Sequence, residues 1–307
     1  ASTHSRGPAL PSVSSLADAS ELLAAASADG RRVRIGEDVT LDGMASVLEH
    51  EAGDLTCVVE AGIRLSALQA ALAPHGQRLA LDPPGDPTIG ACLAANLSGP
   101  LRHRFGSPRD LVLGVTLVLG DGTVCNAGGK VVKNVAGYDL GKLVCGSLGT
   151  LALIARVSLR LHPVPAVSRT LIIETDNTAG SAAVLLRSQL QPSALDVLHP
   201  RRVVALFEGS KRAVAAQLDA ARGLVGGSED DGGVWEESRA RQGEALGRLR
   251  FAPRDLANTL STLGEAIVRP SAGVAYVPHR VSDVPPPAVR RLNGAIKSAL
   301  DATGVLA

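Results

Sequence analysis

The chain has 307 residues, enough to bury a full core, and a formal charge of +1 from 31 basic and 30 acidic residues mixed along its length. No clustered Lys/Arg field is available for nucleic acid, and no polybasic run for an anionic membrane, so membrane contact is expected to be at most peripheral. The apolar runs break well short of the roughly 20 residues a spanning helix requires, and the first 15 residues lack an apolar signal-type core, which predicts a cytoplasmic protein.

In chain order, "LADASELLAAASAD" (16–29) has helical apolar spacing with Ser and Asp near its start, and "RRVRIG" (31–36) reads as a short strand. "TCVVEAG" (56–62) reads as a buried strand. It leads into a helix with apolar residues at 65, 68 and 72, ended by Pro74 and Gly76. "DLVLGVTLVLGDGTVCNAGG" (110–129) predicts a hairpin, with Gly120-Asp121-Gly122 as its turn. "LALIARVSLRLHP" is a strand closed by Pro163 and Pro165. Beyond residue 166 come the strand "RTLIIETD", the helix "TAGSAAVLLRSQL", the strand "VVALFEG" and the amphipathic helix "KRAVAAQLDAARGLVG". Trp235 and a charged segment follow, then a helix near 254–264, the strand "GVAYVP" and a last helix near 286–300. Such units predict an α+β sandwich with helices on one face. A boundary is expected between residues 1–165 and 166–307.

Two glycine-rich stretches suggest a phosphate ligand. "KNVAGYDLGKL" fails as a P-loop, because only three residues separate Gly137 from Gly141 and Leu143 follows Lys142. "CGSLGT" fails as a dinucleotide fingerprint, having G-S-L-G alone with apolar, β-branched sequence after it. Upstream, "LDPPGDPTIGACLAANLSGP" (81–100) offers a loop, a small-residue helix and a bare backbone. Such groups can bind pyrophosphate through amide N–H groups without a cationic side chain. Cys57, Cys92, Cys125 and Cys145 have no metal or cluster spacing and read as small buried hydrophobes, so no iron–sulfur cluster is expected on this chain. No two of the seven histidines have ligand spacing, and no metal is expected.

The order "PPGDPTIGACLAANLSGP", "RHRFGSPRDLVLGVTLVLGDGTV", "GGKVVKNVAGYDLGKLVCGSLGTLALI" resembles the FAD-binding domain of the vanillyl-alcohol-oxidase/PCMH flavoprotein superfamily. "KNVAGYDL" with "GSLGTL" is most similar to the FAD-binding subunits of bacterial glycolate oxidase complexes. The resemblance implies an α+β fold: a PCMH-type FAD-binding domain followed by a smaller α/β sandwich domain, with FAD held non-covalently. It implies an FAD-dependent oxidoreductase subunit acting on a small 2-hydroxyacid of glycolate or D-lactate type. Its implied partners are a homologous catalytic flavosubunit and an iron–sulfur subunit. A flavin-free subunit that stabilises the catalytic one is the alternative.

Carried over by position, Pro84, Thr88, Ile89 and Gly90 belong to the turn on the flavin and pyrophosphate, and Asn96, Ser98 and Gly99 to the element beside the isoalloxazine. Gly106 belongs to the R-[YF]-G turn, Gly146, Gly149 and Thr150 to the ribose-phosphate turn, and Ile154 to the adenine contact. Lys133, Asn134 and Asp139 are expected in structural roles, and Tyr138 as a wall of the cleft. No catalytic residue is assigned. His103 with Arg102 and Arg104 is the substrate-side candidate by position, with Arg269 behind it. One departure stands out. Where the superfamily carries an early glycine-rich loop, this chain has Gly36 alone, followed by Glu37 and Asp38, two carboxylates that would repel a pyrophosphate. No His in that loop offers covalent attachment.

Overall fold

The computed structural model describes residues 11–129, 138–282 and 284–307. Helix α1 (Leu16–Ala28) starts at Ser15, whose hydroxyl accepts from the Asp18 N–H. Then come β1 (Val47–Glu51), β2 (Thr56–Glu60) and α2 (Leu65–Leu72), which stops at a 3₁₀ turn (Ala73–His75) and Gly76 with φ +63°. β3 (Gln77–Arg78), α3 (Ile89–Ala95), α4 (Arg102–Phe105) and α5 (Pro108–Leu111) lead into the expected hairpin, β4 (Val112–Val118) and β5 (Val124–Gly128). α6 (Leu140–Val144), β6 (Leu153–Arg160) and β7 (His162–Pro163) complete this half.

The five-stranded antiparallel sheet runs β1-β2-β6-β4-β5, with β6 at its centre. Both faces of β6 are covered over its first three residues. Ile154, Val157 and Leu159 face the core built with α2 and α3, while Leu153 and Ala155 face α1. That is why Leu153–Ala155 is a continuous apolar run, whereas Arg156, Ser158 and Arg160 alternate with buried Val157 and Leu159 further along. "RRVRIG" differs from expectation. Val33 and Ile35 make isolated bridges, to Leu306 and Val39, and no strand forms because the next residues turn back at once.

The second half comprises β8 (Val167–Glu174), α7 (Thr178–Arg187), β9 (Ala194–His199), β10 (Arg202–Gly209), α8 (Lys211–Val225), β11 (Ser228–Asp230), α9 (Gly233–Glu244), β12 (Gly247–Arg250), α10 (Leu256–Thr262), β13 (Ala266–Arg269), β14 (Val274–Val277) and α11 (Pro287–Leu300). Its seven strands are ordered β11-β8-β10-β9-β13-β14-β12. Phe207, Val197 and Val268 pack on one face beneath α7, α8 and α10, each such side chain contributing about 2 kcal/mol of burial.

The expected one-sided cover is incomplete. Leu198, Val204 and Ile267 point to the other face, where Val234 and Trp235 of α9 cover them. The Trp235 indole N–H donates to Thr170 Oγ1 at 2.9 Å. α9 therefore lies between the two sheets and reaches the first with its far side. The chain end also returns to the first sheet. Val305 and Leu306 join the core beside α1, and Lys297 donates to the carbonyls of Thr150 and Leu306 at 2.6 and 2.5 Å.

Candidate functional site

A cleft of about 210 Å³ lies between the turn after α1 and the pair formed by α3 and the loop before β6. Gly36, Thr88, Gly90, Gly149 and Ile154 line it together, with Ala94 and Ile35 as apolar wall. Thr88 starts α3, its hydroxyl accepting from the Ala91 N–H at 3.2 Å. Gly90 lies tight against Ala61, which a Cβ would approach to 3.0 Å, and its N–H donates to the Ala61 carbonyl at 2.7 Å. Gly149 has φ +78°, a conformation that suits glycine.

The other residues singled out from the sequence lie outside the lining of this cleft. The Ile89 side chain is fully buried in the core beneath α3. Gly146 donates its N–H to Leu93 O at 3.0 Å and holds the loop to α3. The Thr150 hydroxyl donates to Ser147 O at 2.7 Å. Asn96 closes α3 in the left-handed region, its Oδ1 accepting from the Arg109 N–H at 3.4 Å. Pro84 sits where a Cβ on Gly243 of α9 would come within 3.2 Å. Gly106 lies in a separate groove with Arg104, Phe105, Asp110, Arg160 and His162. Asp139 caps α6, accepting from the Lys142 N–H at 3.0 Å, whereas Tyr138, expected as a cleft wall, is 92% exposed. Lys133 and Asn134 lie outside the described residues.

Ser98 and Gly99 occupy the junction of the two layers. A Cβ on Gly99 would lie 1.7 Å from the Asp82 carbonyl oxygen, so only glycine fits. The Ser98 carbonyl accepts from Gln242 Nε2 at 2.9 Å and from Arg269 at 3.3 Å, and its hydroxyl from Arg102 at 3.4 Å. Arg269 also donates to Gln242 Oε1 at 2.7 Å and lies 3.4 Å from Asp196, itself completely buried.

Sequence reading missed Asp82, Asp196 and Gln242. No local motif marks them, and their roles arise only when the layers meet. Burial, opposed mainly by Arg269, pushes the Asp82 carboxyl up to about 7, and burial raises that of Asp196 too. His103 is bonded through Nδ1 to Ser271 Oγ at 2.8 Å, and burial lowers its pKa to about 4, so it is neutral. Arg102, its pKa lowered by burial, has no carboxylate within ion-pair distance among the described residues.

Opposite α3, the Gly36 turn is closed on itself. The N–H of Gly36 donates to Val39 O at 2.7 Å, and those of Glu37 and Asp38 to Arg34 O at 3.2 and 2.8 Å. The Arg34 side chain pairs with both carboxylates. The repulsion expected from Glu37 and Asp38 is thus offset locally, and the amides of Gly36, Glu37 and Asp38 are taken up within the turn rather than offered to a phosphate. On the α3 side the residues do suit a dinucleotide. Among the described residues the N–H groups of Ser98, Gly99 and Gly149 meet no acceptor, and the lining is small and apolar. Among those residues, too, no three His, Cys, Asp or Glu side chains gather as metal ligands.

Residues 26–128 match the family described as an FAD binding domain. The chain thus carries an FAD-binding domain of the kind found in FAD-dependent oxidoreductases, and the resemblance read from its glycine-rich segments is borne out, as is the α+β fold. It is similar to the glycolate oxidase subunit GlcE of Escherichia coli (strain K12), with 34% identity over 201 residues, covering 64% of this chain and 56% of that protein. It is 30% identical over 171 residues to the mitochondrial D-lactate dehydrogenase (cytochrome) 1 of Saccharomyces cerevisiae, covering 54% of this chain and 29% of that one. The chain therefore spans little more than half the length of the first of these relatives and less than a third of the second. A solved structure of alkyldihydroxyacetonephosphate synthase shares the fold, with a TM-score of 0.73 at 16% identity over 96% of this chain and 75% of that one.

Proposed function

We propose that the chain is the FAD-binding subunit of a multi-subunit 2-hydroxyacid dehydrogenase or oxidase of glycolate or D-lactate type. The observation that carries this reading is the cleft, most of whose lining lies inside the segment that matches an FAD binding domain, with the Gly149 N–H, which meets no acceptor among the described residues, at its edge. Thr88, Gly90, Gly149 and Ile154 would hold FAD along the cleft, with Ser98 and Gly99 at the layer junction. Bound flavin would accept the hydride of the hydroxyacid. Arg102, a cation without a carboxylate partner among the described residues, suits the acid's carboxylate; neutral His103 suits its hydroxyl proton.

The relative's own name makes it a subunit, and this chain brings no metal cluster among its described residues. Electrons would accordingly pass to an iron–sulfur partner, beside a homologous catalytic flavosubunit. We place the assembly in the cytoplasm, peripheral to the membrane through its partners; among the described residues no helix is long and apolar enough to cross one. The division at residues 165/166 belongs to the same reading, supported by the separate cores of the two sheets, with the chain end joined to the first.

Purified chain should show flavin absorbance, with FAD released on denaturation. A colourless chain that also fails to take up added FAD would refute the reading. It would favour a second one, a flavin-free subunit that stabilises a catalytic partner, for which the self-closed Arg34–Val39 turn speaks.

A further inference from the structure

Among the places where the second layer holds the first, one is a single peptide. Both side-chain donors to the Ser98 carbonyl, Gln242 and Arg269, come from the seven-stranded layer, 144 and 171 residues away in sequence. Each is itself fixed. Arg269 donates to Gln242 Oε1, lies 3.4 Å from Asp196, and stands 5.0 Å over the Tyr276 ring. Asp196 accepts from the Ser238 hydroxyl at 2.6 Å. On the first-layer side, the Asp82 backbone blocks any movement of the Gly99 Cα toward it. The Ser98–Gly99 peptide is therefore held at its oxygen by one layer and wedged at its Cα by the other. A carbonyl that takes two donors, one of them charged, polarises its peptide and makes the attached N–H a better donor. That N–H belongs to Gly99, one of the amides without an acceptor among the described residues.

We infer that Arg269 and Gln242 are positioning residues for the cofactor: acting through the Ser98 carbonyl, they aim and polarise the Gly99 N–H for an acceptor atom of bound FAD. The inference rests on the flavin reading above. It makes the second layer a determinant of cofactor binding, transmitted by α9, which carries both Gln242 and the chain's single tryptophan, Trp235.

The incisive variant is Gln242→Glu. It keeps an acceptor for Arg269 but removes the donor to Ser98. Gln242→Ala removes both, and Ser238→Ala loosens the same buried network without touching Ser98. Full-length chain would be titrated with FAD, reading affinity from flavin fluorescence, the flavin environment from its visible circular dichroism, and folding from Trp235 emission on heating. Both Gln242 variants should bind FAD at least tenfold more weakly with an altered dichroism band, while Ser238→Ala lowers the melting temperature and leaves affinity and band unchanged. If the Gln242 variants bind within twofold of the parent with the same band, the inference is overturned and the flavin reading stands. If the parent chain itself binds no FAD, both fall.

Discussion

Asp82 offers a quantitative test of the layer junction. Its carboxylate accepts from the Leu101 N–H at 3.0 Å, with Arg239 4.0 Å away. Burial raises its pKa from 3.8 to about 7, against the pull of Arg269, the Leu101 N–H and Arg239 and with a push from Asp196. The folded chain thus keeps a proton that the unfolded chain loses near pH 3.8. Between about pH 4 and 7 the folded state binds more protons, so this group's contribution to stability falls as pH rises. At 1.36 kcal/mol per pH unit the full gap is worth about 4 kcal/mol. The side chain keeps 18% of its surface open to water, and screening reduces the expectation to about 2 kcal/mol.

Asp82→Asn keeps an oxygen for Leu101 and removes the titration. It should leave stability unchanged near pH 4 and raise it by about 2 kcal/mol at pH 8, roughly 4–8 °C in melting temperature. Half-buried His103 and His162, each lowered to about 4 by partial burial, act with the opposite sign, losing stability as pH falls from 6.5. Melts of parent and variant from pH 4 to 8 must therefore be subtracted to isolate Asp82. A variant less stable than the parent at pH 8, or a difference that does not change with pH, would refute the reasoning.

Other consequences follow from single contacts. Gly99→Ala places a methyl 1.7 Å from the Asp82 carbonyl and should cost at least ~3 kcal/mol, read by urea unfolding. Lys297→Met leaves the fully buried Asp301 carboxylate without its cation and unties Thr150 and Leu306. We expect a loss of about 3 kcal/mol and faster proteolysis of the chain end. The thiols of Cys57 and Cys92, both pushed up to about 12 by burial, should resist a disulfide reagent at pH 8 until the chain is unfolded; rapid labelling of the native chain would contradict their placement.

What the sequence revealed was local. The Gly120-Asp121-Gly122 turn and the Gly76 stop each act over a few residues, and each is found as expected. α9 escaped because it buries Val234 and Trp235 on one sheet and Gln242 against the other layer. A helix covered on two sides shows no single apolar face. β13, all four residues buried, sits mid-sheet and has no polar–apolar alternation to announce it. Arg34 was read as part of a strand, so its pairing with Glu37 and Asp38 went unforeseen, although all three lie within five residues.

The site divides along the same line. Gly90, Gly99 and Gly149 were legible because backbone that approaches other backbone, or turns left-handed, leaves glycine in the sequence. The partners of Ser98 were not, because a carbonyl carries no residue-specific mark of what will bond to it. Arg269 stands in the sequence only as the weaker substrate-side candidate, and the fold gives it a more specific place. It is an arginine withdrawn from water whose charge is shared among Asp196, Gln242 and one backbone oxygen. Desolvating that charge is costly, so the geometry it enforces at Ser98 is where its return should be sought.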